Sequence, residues 1–261
     1  MDREKVRNAF HRQAHQYDRH AVVQRAVVDQ LLERLERTGV RPRRLLDVGA
    51  GTGRLLAALH LAYPEAAASG VDLAPGMCES AAASLRGTGI EVLNADAEHL
   101  PFPADSFDLV LSTSTFQWLT TLDNAFAEAY RVLQPGGLFC FALFGEDTLF
   151  ELRESYDRAD GGSKRSLAFF SCLEVLAALD RTGFEECQVE SELEREYHAD
   201  VPELLRSLKE IGAKTVAPVV RKGLSERRVM LEMMEIYRRE HGGPKGIPAT
   251  YEVLYGLGWK R

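Results

Sequence analysis

The most informative segment of this chain reads Arg44-Leu45-Leu46-Asp47-Val48-Gly49-Ala50-Gly51-Thr52-Gly53. Its first half is a short apolar run, which is typical of a buried strand. Residues 54–62, which follow its three glycines, have the composition of a helix. A strand, a glycine-rich turn and a helix in this order predict a loop whose backbone lies close to a ligand, because a side chain at Gly49 or Gly51 would collide with that ligand.

The spacing of the glycines limits the kind of ligand. Arg54 occupies the position at which the dinucleotide-binding pattern G-x-G-x-x-G has its third glycine, and no lysine follows at the spacing of a P-loop. The segment therefore disfavours a pyrophosphate ligand and, with it, a nicotinamide-dependent dehydrogenase. A tight turn that binds nothing is the alternative.

Strands and helices alternate regularly around this segment. Helices are predicted over 20–37, 54–62, 75–85 and 124–133, and further strands over 67–71, 90–93, 107–111 and 138–144. The later part predicts a loop over 157–166, a strand over 184–197, helices over 203–240 that break near Ala217-Pro218, and a last strand over 250–259. Thr148 with Glu151 and Ser171 with Glu174 each have capping-box spacing and predict helix starts. This order predicts an α/β fold with a doubly wound, mostly parallel sheet and a helical insertion before the last strand.

An acid stands at or just after the end of each of the first three predicted strands, at Asp47, Asp72 and Asp96. The carboxyl ends of adjacent strands in such a sheet meet at one crevice, where ligands bind. Asp72 is placed to accept both ribose hydroxyls of an adenosine, and Asp96 to reach the adenine amino group. Leu73 and Met77 offer apolar contact to the purine. One such acid is often only a turn former, whereas three in register favour a nucleoside site.

Composition and charge exclude several classes of protein. Of the 261 residues, 45% are hydrophobic and 27% charged, and the net charge of −7 disfavours a general nucleic-acid binder. The charged N-terminus and the short, interrupted apolar run over 132–145 predict a cytoplasmic protein without a membrane partner. The four cysteines lack metal-ligand spacing, so no metal is expected.

Positive charge is concentrated in two segments. Residues 1–44 hold 11 Lys and Arg against 6 Asp and Glu, and residues 201–245 hold 10 against 6. The rest of the chain is acidic. This distribution suggests a basic rim formed by the two segments, with mixed, solvated charge that has no partner as the alternative.

Five segments over about residues 40–145 resemble class I S-adenosylmethionine-dependent methyltransferases. They are Asp47 to Gly53, Asp72, Asn94-Ala95-Asp96-Ala97, Phe107-Asp108-Leu109-Val110 and Leu133-Gln134-Pro135-Gly136-Gly137. The resemblance implies a Rossmann-like, seven-stranded sheet. It also implies that Gly49 and Gly51 hold the methionine moiety of the cofactor, Asp72 the ribose, and Asp96 with Ala97 the adenine.

The flanks resemble one family of that class, the malonyl-[acyl-carrier-protein] O-methyltransferases of biotin biosynthesis. The similar segments are 10–21, 116–118, 145–152, 207–213 and 250–256. Segment 207–213, Ser-Leu-Lys-Glu-Ile-Gly-Ala, discriminates best, because methyltransferases in general lack it. Related enzymes suggest that Tyr17 closes over the cofactor and binds its carboxylate; a buried tyrosine bonded to backbone is the alternative.

This resemblance implies the activity. A methyl group would pass from S-adenosylmethionine, leaving S-adenosylhomocysteine, to the free carboxylate of malonyl-acyl-carrier protein or malonyl-CoA, and the methyl ester would prime pimeloyl synthesis. It implies three parts of the chain: a helical cap over the cofactor (1–40), an α/β core (41–199 with 246–261), and a helical insertion (200–245) that serves as a lid for substrate and carrier protein. An acidic carrier protein would dock on the two basic segments.

The malonyl carboxylate requires a cationic or hydrogen-bond-donating side chain, for which the candidates are Arg153, Lys209, His20 and Gln117. For each, a surface charge or helix cap is the plainer interpretation. Phe116 and Trp118 are candidate walls of the acyl pocket, with core packing as the alternative. Another small-molecule methyltransferase, acting on a quinone carbon or on an acid such as trans-aconitate, and a non-catalytic protein of the same fold remain open.

Overall fold

The computed structural model describes residues 2–161, 169–213 and 224–261, and for residues 224–226 the backbone only. The described helices are α1 (Arg3–Gln13), α2 (Tyr17–His20), α3 (Val22–Arg37), α4 (Arg54–Ala62), α5 (Pro75–Ser84), α6 (Asp123–Val132), α7 (Phe150–Ala159), α8 (Cys172–Arg181), α9 (Val201–Glu210) and α10 (Leu224–His241). The strands are β1 (Arg44–Val48), β2 (Ala67–Asp72), β3 (Glu91–Asn94), β4 (Phe107–Thr113), β5 (Leu133–Phe144), β6 (Glu185–His198) and β7 (Ile247–Trp259). A 3₁₀ turn spans Phe116–Trp118.

The strands form one seven-stranded sheet in the order β3-β2-β1-β4-β5-β7-β6. Strands β1 to β5 pair in parallel, whereas β7 is antiparallel to both of its neighbours. The order reverses at β1, so β1 and β4 border the switch point at which such sheets bind ligands. The predicted fold class is confirmed, and α9 and α10 lie between the last two strands as the insertion requires.

Apolar side chains fill both faces of the sheet. One cluster joins α3, α4, α7, α9 and α10 to one face, with Leu31, Leu55 and Leu204 fully or almost fully buried. The other joins α6 and α8 to the opposite face, around Phe126 and Leu179. Neighbouring Leu45 and Leu46 of β1 point into different clusters, as side chains of a two-sided buried strand must. This packing fixes the carboxyl ends of the central strands.

The predicted start of the fifth strand is wrong by five residues. Strand β5 begins at Leu133, directly after α6, and not beyond Pro135-Gly136-Gly137. Leu133 pairs with Phe107, and the Gly136 amide donates to the Lys260 carbonyl over 2.7 Å. Pairing partners on both sides therefore draw the Pro-Gly-Gly segment into the sheet, with a register shift beside Phe107.

Only one of the two predicted capping boxes forms. Ser171 and Glu174 cap α8 reciprocally. At α7, however, the N-cap residue is Leu149, which makes no side-chain cap, and the Thr148 hydroxyl donates to the Glu252 carbonyl over 3.1 Å. The Glu151 carboxylate accepts from the Thr250 amide over 3.2 Å and from the Thr250 hydroxyl. Strand β7 thus takes both partners of the predicted box.

Two other predictions concern residues that lie partly or wholly outside the described ranges. The predicted loop over 157–166 is helical at its start, because α7 continues to Ala159, and residues 162–166 lie outside the described residues. The predicted break near Ala217-Pro218 also lies outside them. No described helix has both the length and the apolar character needed to cross a bilayer.

Candidate functional site

A cavity lies at the carboxyl ends of β1, β2 and β4, beneath α1. It holds about 770 Å³ of empty space, part of it open to solvent. We call it the first cavity; the predicted residues among its lining are Tyr17, Gly49, Gly51, Asp72, Leu73, Met77 and Ala97. Seven of the nine residues predicted to bind the cofactor therefore share one cavity, and Asp47 and Asp96 do not line it.

Gly49 and Gly51 of the glycine loop lack a side chain for different physical reasons. Gly49 has a φ of +81°, and a Cβ there would lie 1.9 Å from the Thr115 hydroxyl oxygen, so the protein itself excludes a side chain. Gly51 has a φ of +55°, and no heavy atom lies within 4 Å of the place where its Cβ would be. Because Gly51 lines the first cavity, its backbone is accessible to a ligand of that cavity.

Asp72 connects the end of β2 to the glycine loop. One carboxylate oxygen accepts from the Gly51 amide over 2.9 Å, and the other accepts from the Ala74 amide over 2.8 Å. Burial raises the pKa of this carboxyl group, while the two amide hydrogen bonds act in the opposite direction. The carboxylate keeps acceptor capacity for a ligand, since each oxygen has two lone pairs.

Asp47 lies at the end of β1 and is 1% exposed. Neither of its carboxylate oxygens has a hydrogen-bond partner among the described residues. Burial, together with the nearby Asp72 charge, raises the pKa of Asp47 to about 8. An uncompensated buried charge is costly, so Asp47 is held largely in its neutral form at physiological pH.

Asp96 is paired with a residue that the sequence interpretation did not single out. Its carboxylate forms an ion pair with Arg3 of α1, which also binds Glu98. Arg3, Ala95 and Ala97 line the first cavity around Asp96. The contact of Asp96 with adenine stays a prediction. In the structure, the Asp96 carboxylate binds the Arg3 guanidinium at the rim of the first cavity.

Residues of α1 and α2 form one wall of the first cavity. Val6 and Phe10 of α1 and Tyr17 of α2 line it. Phe10 and Tyr17 pack with Ala14 against Ala74 and Met77. Burial, with the Asp18 and Asp72 charges, raises the pKa of Tyr17 far above its usual value, so its hydroxyl is a neutral donor at physiological pH.

A second cavity adjoins the first and holds about 390 Å³ of empty space, part of it open to solvent. Four residues line both cavities: Phe10, Tyr17, Ser114 and Trp118. The remaining lining residues are Gln24 of α3, Gln117 of the 3₁₀ turn, Phe144 at the end of β5, Thr148 and Leu149 before α7, Phe169, Leu208 of α9 with Ile211 and Ala213 after it, and Tyr251 of β7. The discriminating segment 207–213 thus contributes directly to this mostly apolar cavity.

The four predicted carboxylate-binding residues lie in different places. Gln117 lines the second cavity, whereas His20, Arg153 and Lys209 line neither. His20 Nδ1 lies 3.0 Å from a Glu210 carboxylate oxygen, and the Arg153 guanidinium donates to the Glu146 carbonyl. Lys209 is exposed on α9. The structure therefore does not bring the candidates together around one substrate group.

Phe116 and Trp118, the two aromatic residues that follow β4, have different roles. Phe116 is fully buried among Phe126, Phe139 and Phe141, which makes it a core residue. Trp118 lines both cavities. In the described parts of the chain, no three His, Cys, Asp or Glu side chains are grouped so that they could hold a metal ion.

The pKa of Asp47 predicts how stability depends on pH. Between the ordinary carboxyl pKa and about 8, folded Asp47 holds a proton that the unfolded chain has released. The free energy of unfolding contributed by this residue therefore falls as pH rises through that window, and levels off above it. Relative to the wild type, Asp47→Asn is expected to gain stability between about pH 5 and about pH 8 in urea unfolding of ligand-free protein. A pH-independent difference would contradict the raised pKa.

Comparison with known proteins places these features in context. Residues 46–141 match a family model described as a methyltransferase domain. The malonyl-[acyl-carrier protein] O-methyltransferase of Geobacter sulfurreducens is 55% identical over 265 residues, covering 99% of this chain and 99% of the relative. The protein of the same name from Halorhodospira halophila is 39% identical, covering 99% and 88%. The YcgJ protein from Bacillus subtilis shares the fold, with a TM-score of 0.62 at 20% identity over 89% of this chain and 99% of that chain.

Proposed function

Because the chain belongs to the malonyl-[acyl-carrier protein] O-methyltransferase family, we propose that it methylates the free carboxylate of a malonyl thioester with S-adenosylmethionine. The thioester is carried by acyl-carrier protein or by coenzyme A, and the methyl ester enters pimeloyl synthesis for biotin in the cytoplasm. One observation carries the proposal: the first cavity, at the strand ends, meets a second, mostly apolar cavity at Phe10, Tyr17, Ser114 and Trp118.

The first cavity suits S-adenosylmethionine on three observations. The Gly51 backbone is open to a ligand, Asp72 offers a carboxylate for the ribose hydroxyls, and Phe10 and Tyr17 cover the cavity. Leu73, Met77 and Ala97 supply apolar walls for the adenine. Bound there, S-adenosylmethionine supplies a methyl group on a positively charged sulfur.

The residues of this chain have a positioning role in such a reaction. A malonyl carboxylate is ionised at neutral pH, so no side chain needs to remove a proton from it. Phe10, Tyr17 and Trp118 enclose the junction of the two cavities, which excludes water and holds the carboxylate against the donor. The described lining residues of the second cavity include no histidine, aspartate or glutamate that could act as a base, which agrees with that chemistry.

The activity is tested by incubating the protein with malonyl-acyl-carrier protein and methyl-labelled S-adenosylmethionine. We expect the carrier protein to gain one labelled methyl group by mass, at the malonyl carboxylate. Acetyl-acyl-carrier protein, which lacks the carboxylate, is the matched control and should gain none. Label on both carriers, or on neither, would contradict the proposal.

We further propose that α1 and α2 cover the cofactor and that the insertion covers the acyl group, following the division of the chain at residues 40, 200 and 245. Leu208 of α9 lines the second cavity, as do Ile211 and Ala213 just after this helix. Arg206 and Lys209 are exposed on α9. Arg221 and Lys222, also in the basic insertion, lie outside the described residues.

This arrangement predicts where an acidic carrier protein docks. Replacing both Arg206 and Lys209 by glutamate is expected to lower kcat/KM for malonyl-acyl-carrier protein by about 10-fold at low salt, because like charges slow encounter. The value for malonyl-CoA should not change, since that substrate has no protein surface to dock.

The control is Arg37→Glu with Arg41→Glu; both arginines are exposed at the end of α3 and before β1, at the amino end of that parallel strand. It should keep both kcat/KM values. An equal loss for the two substrates in the α9 variant would show damage to the cavity instead of a docking surface. A loss that persists unchanged at high salt would also contradict electrostatic docking.

A further inference from the structure

The segment between β4 and the 3₁₀ turn carries two unused hydrogen-bond donors at the junction of the two cavities. Ser114 and Trp118 both line the first and the second cavity. The Ser114 hydroxyl oxygen and the Trp118 indole nitrogen are buried, and neither has a hydrogen-bond partner among the described residues. Buried donors without partners are costly, so this pair requires an explanation beyond folding.

Ser114 is also held in a strained backbone conformation. Its φ is +52°, a left-handed value that is unfavourable for a residue with a Cβ. Its amide donates to the Ala142 carbonyl of β5 over 2.8 Å, which anchors the residue in that conformation. Strain of this kind persists where the surrounding structure imposes it, and it is concentrated at functional sites.

Gln117 fixes the Ser114 peptide instead of presenting a donor to substrate. Its amide nitrogen donates to the Ser114 carbonyl over 2.7 Å, and its amide oxygen is buried without a partner. Reversing the amide would set its oxygen against the Ser114 carbonyl, two acceptors in contact. Gln117 is therefore a positioning residue, which changes the role predicted for it from the sequence.

Trp118 is held by packing. Its ring meets the Phe10 ring edge-on, with 5.4 Å between centroids, so the cap helix α1 orients the indole. The indole nitrogen only donates, and a buried indole N–H normally has an acceptor. A carboxylate, which only accepts, satisfies both the indole and the Ser114 hydroxyl.

From these contacts we infer that the Ser114 hydroxyl and the Trp118 indole N–H bind the carboxylate of the acyl substrate at the junction of the two cavities. This inference rests on the proposed function. The described lining of the second cavity contains no Lys or Arg, so the donors on its side of the junction are neutral; Arg3 and Arg7 line the first cavity. Neutral donors orient the carboxylate while leaving more electron density on the attacking oxygen than a bidentate guanidinium would.

The step balances without a base. A carboxylate oxygen forms the bond to the methyl carbon as the carbon–sulfur bond breaks, and the electron pair of that bond stays on sulfur. The negative carboxylate becomes a neutral ester, the sulfonium becomes a neutral thioether, and no proton moves. Once formed, the ester is a weaker acceptor for the two donors, which favours its release.

The test compares binding of malonyl-CoA with binding of its methyl ester by calorimetry, with S-adenosylhomocysteine present. Trp118→Phe keeps an aromatic ring and removes the N–H, and Ser114→Ala removes the hydroxyl. Each variant is expected to bind malonyl-CoA about 10-fold to 100-fold more weakly, as for hydrogen bonds to a charged group. The methyl ester, which has no carboxylate, should bind each variant within about twofold of the wild type.

Three results would overturn the inference: wild-type affinity for malonyl-CoA in both variants, equal losses for malonyl-CoA and the ester, or a loss of S-adenosylhomocysteine affinity alone. The last would assign the donors to the cofactor. Should Ser114→Ala unfold, Ser114→Gly removes the hydroxyl while tolerating the positive φ. Failure of the wild type to methylate malonyl thioesters would instead refute the proposed function itself.

Discussion

The Asp72→Ala variant is expected to bind S-adenosylhomocysteine at least about 100-fold more weakly than the wild type, since two hydrogen bonds to a charged group are lost. Asp72 lines the first cavity and accepts from the Gly51 and Ala74 amides. Its removal deprives the ligand of the acceptor that we propose for the ribose, and it also frees the backbone amides of the glycine loop. Calorimetry gives the affinity, and single-turnover methylation should fall in parallel.

Asp108→Ala provides a matched control. The Asp108 carboxylate also accepts from two backbone amides, those of Arg43 and Arg44, over 2.9 Å and 3.1 Å. It lies at the amino end of β4, however, away from both cavities. This variant should lose some stability and keep its affinity. Comparable affinity losses in the two variants would mean that Asp72 acts through the fold alone.

The site around the glycine loop was predictable because its determinants are local. A strand, glycines and a following helix are adjacent in the chain, and parallel pairing of β1 with β2 and β3 brings the strand-end residues together. Asp47 and Asp72 could thus be placed near each other at the strand ends before any contact was known. Their different environments, one without partners and one bonded to two amides, depend on loop geometry that spacing does not encode.

Contacts between distant parts of the chain were not predictable. Arg3 binds Asp96 across 93 residues, and nothing in either segment indicates the other. Thr148 and Glu151 have correct capping-box spacing, yet β7, about a hundred residues later, supplies partners that compete successfully. Local propensity is overridden where a buried strand offers satisfied hydrogen bonds to the same groups.

The substrate side shows the same limit. Arg153, Lys209 and His20 were reasonable from charge alone, but charge does not reveal which side chains face a cavity. Ser114 carries no sequence signal beyond following a predicted strand; its φ of +52° and unpartnered hydroxyl are visible only in three dimensions. Trp118 was identified as a pocket wall, and its indole nitrogen adds a polar role to that expectation.

Phe116 and Trp118, two residues apart, provide a contrast between stability and function. Phe116 is 0% exposed, and its ring centroid lies 5.4 Å from that of Phe126, 5.9 Å from Phe139 and 6.0 Å from Phe141. These rings join α6 to β5 beneath the 3₁₀ turn that carries Trp118. Phe116 thus supports the segment that lines both cavities without lining either one.

Phe116→Ala is therefore expected to lower the free energy of unfolding by about 3–5 kcal/mol, the cost of removing a fully buried aromatic side chain and leaving a cavity. Trp118→Phe, which keeps a ring at a partly exposed position, should lower it by less than about 1.5 kcal/mol. Urea unfolding of ligand-free protein measures both values. At saturating S-adenosylhomocysteine, Phe116→Ala should regain stability by mass action if its cavities still form. If Phe116→Ala cost no more than Trp118→Phe, the four-ring cluster would not be the support of this segment, and the assignment of the two aromatic residues to core and pocket would be wrong.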